Sequence, residues 1–191
     1  MAARLEILLV QEQRAQAFDD MEQAFKALLS SQIAPESLQQ GQGDHSKLEA
    51  EFIAVCNMVT TKFKALSAQM ISIEERLKLT ENSDDIKLAN MIRNIQDEER
   101  EHIRLVIALQ VERKRLEMLR QTADKTGKCH QKHNDEHGCE CGAKLEEEIE
   151  DLKELISIQE DKVKWMKQQN ADNESKINEY LDEVRYWEGE C

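Results

Sequence analysis

From Leu145 to Trp187 a single heptad frame runs without interruption. Its a positions are Ile149, Ile156, Val163, Asn170, Ile177 and Val184; its d positions are Leu145, Leu152, Gln159, Met166, Asn173, Tyr180 and Trp187. A repeat of this period predicts one helix with one apolar seam. At ~1.5 Å per residue that helix is about 65 Å long and cannot bury its seam alone. β-branched residues at a with Leu at early d positions favour a two-stranded parallel coil. The flanking charges oppose a simple parallel homodimer, because Lys162 would face Lys167. A different protein, or an antiparallel return along the chain's own third helix, therefore competes with self-pairing. Ile156, Val163, Asn170, Asn173, Ile177, Tyr180, Val184 and Trp187 are the residues expected to bind a protein partner, in a homo- or hetero-oligomer. An amide buried opposite an apolar residue is unpaired at a cost of roughly 1–3 kcal/mol, so Gln159, Asn170 and Asn173 select register and partner. Tyr180 and Trp187 are large for d positions, and either meet a partner or cover the end of a helical domain.

The rest of the chain also reads as helix. One Pro and six Gly leave little to punctuate strands and turns. In the first segment, about Ala2 to Ser31, Phe18, Met21, Phe25 and Leu28 recur at three- and four-residue steps, with Ile7 and Leu8 extending the stripe backwards. A polar loop with Pro35, Gly41 and Gly43 follows. Ser46 and Glu49 have capping-box spacing and are expected to open a second helix, whose stripe runs from Leu48 to Leu77. The cluster from Glu81 to Asp85 ends it and caps a third, from about Ile86 to Arg120. Short connections between long helices favour antiparallel neighbours. The expected fold is all-α: an antiparallel long-helix bundle with a C-terminal coiled-coil helix. Its parts are a three-helix region 1–121, a Cys/His-rich hairpin tip 122–142 and the C-terminal helix 143–191.

Charge removes whole classes of function. The net charge is −13, divided as −4 over residues 1–121 and −9 over 122–191. Such a surface repels phosphate backbones, so a direct nucleic-acid grip is not expected. Arg113-Lys114-Arg115 is too short for a polybasic patch and reads as a solvated helix face. No apolar run approaches the ~20 residues that span a bilayer, so no membrane role is expected. Five cysteines, an odd number, argue against a secreted disulfide framework. The opening segment carries Glu6 and Glu12 and resembles neither a signal peptide nor a presequence, which points to the cytoplasm or nucleus.

Ligand-type residues are densest between the third and fourth helices: Cys129, His130, His133, His137, Cys139 and Cys141. Thiolate and imidazole are the usual zinc ligands. Cys129, His133, Cys139 and Cys141 are the candidate set, with His130 or His137 as substitutes; the competing reading is a polar hairpin tip that binds nothing. Zinc, or another soft metal, is the cofactor to consider. Glu99 and His102 form half of a di-iron motif, but no second E-x-x-H pair exists, and they read as a polar pair near a helix seam. Cys56 sits among apolar neighbours as an inert thiol. No phosphate loop, nucleophile elbow or Ser-His-Asp arrangement is visible, so catalysis is not expected.

The segment Gln11-Glu12-Gln13-Arg14-Ala15-Gln16-Ala17-Phe18, continuing through Met21-Glu22 to Leu28-Leu29-Ser30-Ser31, resembles the opening helix of the required-for-excision 1-B domain family. Val59 to Leu77, the stretch from Ile95 through Glu99-Arg100 to Gln110, and Ile177 to Tyr186 are similar in order to the helices that follow. The Cys/His loop has no counterpart there. The resemblance implies a part in DNA excision repair and supplies no catalytic residues. The long unpartnered seam, the acidic surface and the lack of a catalytic constellation lead to a non-enzymatic helical adapter or scaffold, which the resemblance sets in DNA repair. The alternatives are a structural coiled-coil subunit of a cytoskeletal or ciliary assembly, and a metal- or redox-responsive helical hairpin.

Overall fold

The computed structural model describes residues 2–33, 42–80, 82–136 and 141–187. They form four helices: α1 (Ala2–Ile33), α2 (Gln42–Lys78), α3 (Ser83–Glu136) and α4 (Cys141–Arg185), with no strand among the described residues. The chain is all-α, as its spacing predicts.

Helix ends depart from expectation at two places. α2 already begins at Gln42, so Ser46 and Glu49 lie inside it rather than at its start. α3 continues well past Arg120 to Glu136. The intervening sequence has no Pro, and its single Gly127, with nothing crowding it, costs a helix only about 1 kcal/mol. The turn from α2 to α3 behaves as read. The Asn82 side-chain oxygen accepts from the Asp84 amide at 2.9 Å, and Asp84 and Asp85 lie in the first turn, where carboxylates complement the helix dipole. Thr80 also donates to Asp85 at 2.7 Å.

The chain divides into two compact units: Met1–Ile103 with Asp172–Cys191, and Arg104–Ala171. The division cuts across α3 and α4 instead of following the three-part scheme at 121 and 142. In the first unit, Phe18 lies against Phe63 and Phe25 against Phe52, which sets α1 and α2 antiparallel. Arg14 meets Glu99 and Phe18 meets His102, so α1 and α3 run parallel. Asn173 donates to Glu98, and the Lys87 ammonium lies 6.0 Å from the Trp187 ring centre, which sets α4 antiparallel to α3. The result is an up-down-up-down arrangement. Its core takes Ile7 and Val10 from α1, Met70 and Ile73 from α2, Ile92 and Ile95 from α3, and Leu181 and Val184 from α4.

In the second unit, the remainder of α3 and the beginning of α4 lie side by side. Leu116, Val163 and Met166 are buried there, and Arg120 bonds Glu160 at 2.7 Å.

Because α4 supplies one wall of the first unit, a chain ending at Arg120 should not keep that unit intact. Full burial of a Val or Leu side chain is worth about 1.5–3 kcal/mol against a total stability of about 5–15 kcal/mol. The truncated chain should retain helical circular dichroism, melt without a cooperative transition and bind a hydrophobic dye. A sharp melt at the full-length temperature would show α4 to be dispensable.

Candidate functional site

Three ionisable side chains meet inside the first unit: Arg14 of α1, with Glu99 and His102 of α3. They are only 5%, 6% and 5% exposed. Arg14 forms an ion pair with Glu99, and its Nη2 donates to the Ser67 hydroxyl of α2 at 2.8 Å. One guanidinium thus ties three helices. Burial pulls the Arg14 pKa down to about 10, which keeps it charged at neutral pH. The edge of Phe18 meets the His102 ring at 4.5 Å and 86°. His102 Nε2 lies 3.7 Å from Glu174 of α4. Burial lowers the His102 pKa, and the Glu174 charge and a hydrogen bond with Asn173 only partly oppose it.

The Glu99/His102 pair is therefore a polar pair at a helix seam, with its carboxylate engaged by Arg14. Among the described residues, no group of three or more His, Cys, Asp or Glu is placed to hold a metal ion. The side chains of Cys129, His133, Cys139 and Cys141 lie outside the described residues, as do those of His130 and His137. Cys56 is half-buried, and burial raises its thiol pKa, which disfavours the reactive thiolate.

A second buried acid, Glu74 of α2, is 1% exposed. Burial disfavours its charge, but hydrogen bonds from Lys78 at 2.6 Å and Arg93 at 2.8 Å outweigh that and hold its pKa below the ordinary value.

The heptad seam of α4 lies against α3. Gln159 Nε2 donates to both the backbone oxygen and the carboxylate of Glu112, at 3.1 and 2.7 Å, and Lys162 reaches that carboxylate at 2.9 Å. Asn173 Nδ2 repeats this on Glu98, at 3.2 and 2.7 Å, with Lys176 at 4.0 Å. The eight residues expected to bind a partner are thus placed differently from that reading. None of Ile156, Val163, Asn170, Asn173, Ile177, Tyr180, Val184 and Trp187 is exposed, and Val184 is fully buried in the core. Their seam is covered from within the chain. Tyr180 packs on the core, and the Trp187 carbonyl accepts from Arg4 at 3.1 Å, so these aromatics cover the end of the first unit.

An open groove of about 760 Å³ lies between α1 and α4 in the first unit. Its lining includes Leu5, Leu9, Glu12, Phe18 and Asp19 from α1, and Ile177 and Leu181 from α4, with Arg14, Glu99 and His102 beneath. Leu5 and Leu9 are 60% and 54% exposed. The three- and four-residue stripe of α1 does not single out this pair. The available signal was the crowding of Leu5, Leu8 and Leu9 around Ile7, which makes α1 apolar on more than one face.

Fold and site define a helical domain held by buried interhelix ion pairs, with a groove beside α1. The family model for DNA repair REX1-B matches residues 4–113, more than half of the chain, and the chain belongs to that family. The match takes in α1, α2 and α3 as far as Arg113; the resemblance seen in Ile177 to Tyr186 lies beyond it. No curated protein and no solved structure matches the chain.

Replacing Arg14 with Met leaves Glu99 as an uncompensated buried charge and should cost about 3–5 kcal/mol in urea denaturation. Replacing Glu99 with Met as well should restore most of that loss. A double variant no more stable than the single one would show that the pair is not coupled.

His102 has a pKa below its ordinary 6.5, so the unfolded chain binds more protons as pH falls through that value. Stability should be full above pH 6.5 and decline below it, with a further decline below 4.5 as Glu74, held below its ordinary value, is protonated. His102→Asn should abolish the first decline and keep the second. Thermal melts between pH 7.5 and 3.5 separate them (roughly one unit beyond each ordinary value).

Proposed function

We propose that the chain is a non-enzymatic helical adapter that works in DNA excision repair, in the nucleus, by holding other proteins rather than DNA. Membership of the DNA repair REX1-B family supports the setting. The observation that carries the adapter reading is the groove beside α1, whose edge leaves Leu5 and Leu9 open to solvent while the core has been filled by other residues. Exposed apolar side chains grouped along a groove favour protein association. The buried ionisable groups serve as ties between helices: Arg14 holds Glu99, and Glu74 holds Arg93. A net charge of −13 opposes a direct hold on DNA.

Cells lacking the protein should release excised damage-containing oligonucleotides more slowly after ultraviolet irradiation. The wild-type chain should restore the rate, and a chain carrying Leu5→Asp and Leu9→Asp should not, although it accumulates to the same level. Incision of damaged duplex by the purified chain would make it an enzyme instead. Normal excision together with a stable cytoskeletal fraction would favour the structural-subunit alternative.

A further inference from the structure

We infer that the groove between α1 and α4 receives a basic amphipathic helix from another protein. This rests on the adapter reading and supplies the chemistry of the partner. The apolar half of the argument is the spacing of Leu5 and Leu9, one helical turn apart on α1, opposite Ile177 and Leu181. A helix laid in such a groove inserts its own apolar side chains at positions i, i+4 and i+7.

The polar half is the charge around those leucines. Glu12 and Asp19 are exposed on α1, seven residues apart, and neither has an ion-pair partner among the described residues. The cations of the groove are already engaged: Arg14 with Glu99, and Arg185 with Asp182 at 2.7 Å. The groove therefore offers carboxylates at its rim and no spare positive charge. Lysine or arginine flanking an apolar stripe complements it. A second copy of this chain does not, because it brings the same acidic rim and a charge of −13. Anionic lipid and nucleic acid are repelled for the same reason.

The test is a display selection with the full-length chain against a library of helix-forming peptides about 18 residues long, with apolar residues fixed at i, i+4 and i+7 and all other positions random. Recovered peptides should carry Lys or Arg beside the apolar stripe. Their binding, read by fluorescence anisotropy, should weaken about tenfold with Leu9→Asp, about tenfold with Glu12→Lys and Asp19→Lys together, and progressively with salt. Leu5→Gln is a milder second variant should Leu9→Asp alter the thermal melt. Neutral or acidic winners, or basic winners indifferent to both sets of substitutions, would overturn the inference. Self-association lost with Leu9→Asp would also overturn it, by giving the groove to a second copy. Failed selection with intact excision rescue removes only the basic helix, whereas successful selection with no excision defect removes only the repair setting.

Discussion

An apolar seam that runs the length of α4 has to be covered, and the manner of covering settles the rest of the fold. α3 does it, and two glutamates fix how. Glu98 and Glu112 each present a backbone oxygen and a carboxylate to one α4 amide, Asn173 and Gln159 respectively. The two acceptors belong to one residue, so sliding α4 by a single position removes both bonds together. A buried amide left without partners costs about 1–3 kcal/mol, enough to reject the shifted registers. Lys176 and Lys162, three residues beyond each amide, approach the same carboxylates and reinforce the choice. In the first unit that register brings Leu181 and Val184 into the core with Leu88 and Ile92.

α1 is located by a different device. A buried ion pair is a weak source of net stability, because desolvation cancels much of the attraction. Its value lies in the alternatives it excludes. Arg14 reaches the Glu99 carboxylate and the Ser67 hydroxyl together, which demands α2 and α3 at one height relative to α1. Packed aromatics alone would tolerate a slide; a guanidinium removed from its carboxylate inside the bundle would not. Glu74 with Arg93 performs the same service between α2 and α3.

The pattern of apolar residues made the helices and the buried face of α4 legible. All twelve described a and d positions of its heptad frame are withheld from full exposure. What covers that face was not legible, since the frame reads alike for a second chain and for α3. Even so, Gln159-x-x-Lys162 and Asn173-x-x-Lys176, two heptads apart, match Glu98 and Glu112 at the same separation. That repeat was available as evidence for an intrachain return. α3 runs on to Glu136 because nothing after Arg120 breaks a helix, although the crowding of Cys and His there reads as a loop. The role of Arg14 is hidden in the sequence for a plainer reason. An arginine between glutamine and alanine looks solvent-facing until a carboxylate on another helix is brought to meet it.

Charge connects these interior ties to the outer surface. A carboxylate inside the structure is tolerable only where a cation or a set of donors meets it, and Glu74, Glu99 and Glu112 each have such partners. Those ties engage cations of the interior and its margin, while acids such as Glu12 and Asp19 stay open on α1. The same pairing that fixes the helices therefore leaves the groove with a one-sided charge. As the binding surface inferred above, such a rim would discriminate mainly by refusal: a negatively charged backbone or headgroup would meet repulsion before any apolar contact formed. Under the proposed adapter reading, an acidic surface of this kind would place the weight of recognition on proteins that themselves hold DNA. Proteins of that sort are rich in the lysines and arginines that the rim of α1 would accept.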